Sequence, residues 1–110
     1  MSDVSFAEAI KRASDDIKAA LTRLEADTAA SEAELHNVRA YLVNVLDLVR
    51  RDLRLEPASD QLFSAASAFA ESGPEHKDES QRTLRAAYLR LQVLLMSAKP
   101  SEKARHMGLS

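Results

Sequence analysis

Ala26-Asp27-Thr28-Ala29-Ala30-Ser31 decides the fold, because an apolar series with helical period lies on either side of it. Phe6, Ile10, Ala13, Ile17, Leu21 and Leu24 precede it, and Leu35, Val38, Leu42, Val45, Val49 and Leu53 follow. The first 56 residues hold neither glycine nor proline, so nothing in the segment itself breaks a helix. Ile10 and Leu35 differ by 25 positions, which at 100° per residue rotates the stripe by only about 20°. One continuous helix over 3–55 would be roughly 75 Å long and would demand a dimer. Against continuity, Asp27, Thr28 and Ser31 are capping residue types, and Ser31 with Glu34 has the capping-box spacing. These caps favour a turn and an antiparallel hairpin, with the single long helix as the alternative.

Outward from this point, Asp3 or Ser5 begins the first helix, and Ser5 with Glu8 has capping-box spacing. The second helix, Ser31 to Leu55, carries the densest apolar face: Leu35, Val38, Tyr41, Leu42, Val45, Leu46, Val49 and Leu53. A face so wide needs at least two neighbours to cover it. Glu56-Pro57 ends it, since a residue before proline is driven out of the helical region. A short third helix spans Ser59 to Glu71, with small residues from Ser64 to Ala68 permitting close packing. Ser72-Gly73-Pro74 stops it, with Gly73 suited to a left-handed position. The fourth helix, from His76 or Lys77 to Ala98, sets Leu84, Tyr88, Leu91, Leu95 and Ala98 in heptad spacing. The fold expected is all-α: an antiparallel helical hairpin plus two further helices, as a four-helix bundle or half of an intermolecular one. Residues 1–98 form the bundle domain and 99–110 a mobile basic tail.

A chain of 110 residues is long enough to fold on one core without a staple. No cysteine is present, which excludes disulfides and thiolate metal sites. The start, Met1-Ser2-Asp3-Val4-Ser5-Phe6, is not that of a secretory signal, and the longest apolar runs fall far short of the ~20 residues of a membrane span. A cytoplasmic protein with no membrane partner is expected. The net charge of −2 divides into −5 over residues 1–73 and +3 over residues 74–110.

Chemistry is hard to find. His36, His76 and His106 stand in no metal-binding pattern, and two isolated glycines cannot form a phosphate-cradling loop. There is no nucleophile elbow, so neither an enzyme, a cofactor nor a metal is expected. Polar residues beside the stripes, Asn37, Tyr41, Asn44, Tyr88 and Gln92, deserve weight, and Asn44 between Val43 and Val45 reads as a partly buried register-setting residue. Lys11-Arg12-Ala13-Ser14 resembles a basic-directed phosphorylation site, a pattern that chance produces often.

The surplus of apolar stripe points to a protein–protein interaction module: an oligomerising adaptor, regulator or chaperone with a homodimeric or helical partner. Phe6, Ile10, Ile17, Leu84, Tyr88, Leu91 and Leu95 are the expected partner or oligomer interface. The alternative is a nucleic-acid-associated regulator that contacts phosphates through Arg82, Arg85, Arg90, Lys99, Lys103 and Arg105. Arg50, Arg51 and Arg54 complement the dipole at the second helix's end, with Asp47 and Arg51 at pairing distance along it.

Overall fold

The computed structural model describes residues 5–26, 29 and 31–109. The expected caps Asp3, Asp27 and Thr28 lie outside the described residues. Ser5 opens α1 (Phe6–Ala26), its hydroxyl accepting from the Glu8 amide at 3.2 Å. The chain then doubles back into α2 (Ser31–Leu48). Arg23 fastens the hairpin by giving its Nε to both carboxylate oxygens of Glu34, at 3.0 and 3.1 Å. Glu34, expected in a capping box, thus serves the helix-to-helix tie, and Asn37 also donates to it at 3.5 Å. The two apolar series therefore belong to two antiparallel helices.

Beyond α2 the boundaries depart from expectation. α2 stops at Leu48, not Leu55, and α3 (Leu55–Glu71) starts four residues earlier than Ser59. Pro57 is the third residue of α3, where a missing N–H needs no partner, so the proline belongs to a helix start rather than an end. Asp52 builds the intervening turn: its carboxylate accepts from the Arg54 amide at 2.8 Å and from the Arg54 guanidinium at 2.8 and 3.2 Å. Leu53, expected on the α2 face, is consequently 95 % exposed at this corner. Arg51 pairs forward with Glu56 at 3.2 Å rather than back to Asp47.

The Arg54 contacts hold the Asp52 carboxyl down to about 2 from an ordinary 3.8, the side-chain bond contributing most and the backbone bond next. Because the folded-state value is the lower one, the stabilisation is complete above 3.8 and is lost as pH falls from there through about 2. A carboxyl NMR titration of Asp52 should therefore give a midpoint near 2, rising towards 3.8 in Arg54→Ala. An ordinary midpoint in the parent chain would refute this turn.

α3 ends on Ser72, whose amide and hydroxyl both donate to the Phe69 carbonyl, at 3.3 and 2.8 Å. Lys77 covers the same end: Nζ donates to the Phe69 carbonyl at 2.8 Å and lies 4.3 Å from the Phe69 ring centroid. Gly73 is not left-handed as expected; its φ of −74° and ψ of 169° are extended, the conformation that Pro74 imposes on its predecessor. A single 3-10 turn, Pro74–His76, leads into α4 (Lys77–Met96).

The segment expected to be a mobile tail docks instead. Pro100 bridges Val49, the Arg50 amide donates to the Lys99 carbonyl at 2.6 Å, and the Ser101 amide donates to the Leu48 carbonyl at 3.0 Å. Ser101 Oγ donates to the Asp47 carbonyl at 2.7 Å and accepts from the Ala104 amide at 3.1 Å, so one side chain serves the end of α2 and the start of α5 (Glu102–His106). Gly108, at φ 86°, closes α5 in a Schellman turn, with the Leu109 amide on the Ala104 carbonyl at 3.0 Å. Ala104 is fully buried. Composition made this segment look solvated, whereas its three small or apolar anchors, Pro100, Ala104 and Leu109, all face the bundle.

α1 packs most extensively on α2 and α4 on α3, while the α1–α4 seam is thinner. The helices run antiparallel in a body of 48 × 29 × 16 Å. Its core joins Ile17, Leu24, Val38, Val45, Leu62, Leu84, Leu91 and Leu95, each at most 2 % exposed. All seven side chains expected at a partner interface lie in this core: Phe6, Ile10, Ile17, Leu84, Tyr88, Leu91 and Leu95 range from 0 to 8 % exposed. This corrects the interface assignment. α3 and α5 together cover the apolar surplus that had seemed to require another chain.

Candidate functional site

Where α1 and α4 run antiparallel, two side-chain contacts set their spacing. Tyr88 Oη donates to the Ser14 carbonyl at 3.1 Å, and Arg85 meets Glu25 at 3.5 Å. Burial first, and the neighbouring Asp15 charge second, push the Tyr88 phenol above its usual range. Ser14 is itself only 6 % exposed beneath this contact, so the hydroxyl of the apparent phosphorylation motif is enclosed in the folded chain. Tyr88→Phe should lower stability by about 1 kcal/mol, the usual net worth of one buried hydrogen bond. Thermal unfolding checks this, and an unchanged midpoint would show that Tyr88 contributes by packing alone.

Around these two struts the seam opens into a groove. Towards the α1 N-terminus a cavity of about 560 Å³ is floored by Phe6, Ile10 and Leu95 and lipped by Lys11, Gln92 and Met96. Towards the α1 C-terminus a second, of about 320 Å³, is lined by Lys18, Leu21, Glu25, Leu84, Tyr88 and Leu89. Gln92 lines both, and the Tyr88–Ser14 contact stands between them, so the seam carries two cavities in line. On the α4 lip and just outside it lie Leu89, Val93 and Met96, which are 56, 63 and 78 % exposed. Their i, i+4, i+7 spacing puts them on one helical face, offset from the buried heptad of Leu84, Leu91 and Leu95. α4 is thus apolar on two faces, and only one is covered by this chain.

In the sequence this second face is masked by the heptad beside it, since both repeat with helical period. The polar residues divide similarly: Gln92 lies in the groove, Asn37 ties to Glu34, and Asn44, expected to be partly buried, is exposed on α2. α2 turns Val43 and Asn44 outward because its buried line is only Val38, Leu42 and Val45.

The six basic residues expected to contact nucleic acid do not share one surface. Arg85 leans to α1 and Glu25, Arg90 reaches α3 and donates to Gln61 at 3.5 Å, and Lys103 pairs with Asp47 of α2 at 3.3 Å. Arg82 and Lys99 sit near opposite ends of α4, about 25 Å apart along the axis. His36, His76 and His106 are all exposed, and among the described residues no three His, Asp or Glu side chains converge to hold a metal ion. No helix among the described residues is long and apolar enough to cross a membrane.

Comparison with known proteins adds no relative: no protein-family model, curated protein or solved structure matches the chain. The groove and its lip are therefore read on their own chemistry.

Proposed function

We propose that the chain is a protein–protein interaction module that takes an amphipathic helix of another protein along the α1–α4 groove. The carrying observation is the uncovered stripe of Leu89, Val93 and Met96 beside an apolar trough. A helix is about 10 Å across, and the two cavities together flank α1 from Phe6 to Glu25, about 28 Å or five helical turns. An incoming helix would bury an i, i+4, i+7 row against the lip, which is the usual geometry of helix-in-groove recognition. Self-association through the seven core residues is excluded from this reading, since they are enclosed within one chain.

Site-specific photocrosslinking in cells tests it. A benzoylphenylalanine at Val93 should yield a discrete adduct with a different protein, and the same probe at Asp60, exposed on α3, should not. Equal labelling at both positions would remove the proposal. An adduct of twice the chain's own mass would replace it with self-association.

A further inference from the structure

The groove reading can be taken to the chemistry of the partner. From Gln81 to Ser101 the chain carries Arg82, Arg85, Arg90 and Lys99 and neither Asp nor Glu, although the whole protein has a net charge of −2. The uncovered stripe lies inside this acid-free stretch. Arg85 flanks it on the α1 side and Arg90 on the α3 side, as their contacts with Glu25 and Gln61 show. Across the trough, α1 contributes Lys11 and Lys18 to the opposite lip, with Asp15 between them. Glu25, the remaining acid on that lip, is already matched by Arg85.

Resting on the groove reading, we infer that the partner is an acidic amphipathic helix, with apolar residues at i, i+4 and i+7 and Asp or Glu on both edges of that row. Carboxylates at one edge meet Arg90 and at the α1 edge meet Lys11 and Lys18, while Arg82, seven residues before Leu89, stands at the end of the row. Such pairs lie at the rim, where they set partner choice and association rate more than affinity. A second copy of this chain fits poorly, because its own α4 face, free of Asp and Glu from Gln81 to Ser101, offers Arg82 and Arg90 no carboxylate. An anionic bilayer shares the charge but not the shape: a flat headgroup layer cannot fill a trough whose floor, Phe6, Ile10 and Leu95, is at most 8 % exposed.

The test is a pair of synthetic 20-residue helical peptides with the same leucine row, one edged with Glu and one with Lys. They are titrated into the full-length protein by fluorescence anisotropy, beside vesicles of phosphatidylserine and phosphatidylcholine. The Glu peptide should bind at least tenfold tighter than the Lys peptide and weaken with salt. Arg82→Glu with Arg90→Glu should reverse the order, and Val93→Asp should abolish binding of both. Equal affinity for the two peptides overturns the acidic partner and leaves the groove reading standing. Absence of binding by either peptide, or binding indifferent to Val93→Asp, overturns both. Saturable binding to the vesicles that Val93→Asp abolishes, with none to the peptides, assigns the stripe to a membrane surface instead.

Discussion

Leu91→Asp should unfold the chain, and Leu89→Asp, two residues away, should not. Leu91 is 1 % exposed, among the core side chains of all four long helices, whereas Leu89 is 56 % exposed on the lip of the groove. Truncating a buried leucine costs about 2–5 kcal/mol through lost burial and the cavity left behind. An unpaired carboxylate in the same place adds several kcal/mol more. A domain of this size is stable by only about 5–15 kcal/mol, so the sum removes most or all of the folded population. Leu89→Asp carries no such cost and should melt within a few degrees of the parent. Circular dichroism with light scattering distinguishes the outcomes: for Leu91→Asp, lost helicity and a low or absent melting transition. A helical monomer derived from a dimeric parent would place Leu91 at a subunit interface and contradict the packing described above.

That pair of substitutions also shows where periodicity succeeds and where it stops. The stripe of α1, the cap at Ser5 and the stop at Ser72-Gly73-Pro74 were legible because each is fixed by residues close in sequence. The all-α hairpin-based fold was legible for the same reason. The heptad of α4 was legible as apolar, but a period does not say whether a face meets its own chain or another. The choice depends on how α1 and α3 pack on α4, and α3 begins a full turn before the residue types that signal a cap. Pro57 was ambiguous in principle, as a proline suits the first turn of one helix as well as the end of another. Leu89, Val93 and Met96 did carry a signal: a second apolar row with helical spacing, in a stretch free of acids. It was hidden by the stronger row beside it.

The end of α2 was beyond local reading, because it is set by Ser101, 53 positions after Leu48. Deleting residues 99–110 should therefore destabilise the bundle rather than trim a loose end. The deletion removes the partners of the Asp47 and Leu48 carbonyls and of the Arg50 amide, three hydrogen bonds worth about 1 kcal/mol each. It also uncovers Val49, now 2 % exposed, and loses the burial of Ala104 and Leu109, about 1–2 kcal/mol more. Because the segment is docked in the folded chain, its contacts outweigh the backbone entropy that its release returns. The melting temperature should fall by at least about 4 °C, the shift that a loss of about 1 kcal/mol produces in a domain of this size. Full-length Ala104→Asp isolates the cause. A charge at a fully buried position should undock α5 and reproduce the loss with every basic side chain still present. Had the segment been a phosphate-contacting tail and nothing more, neither change would move the melting temperature. Both should, and by similar amounts, because the same few carbonyls lose their donors in each.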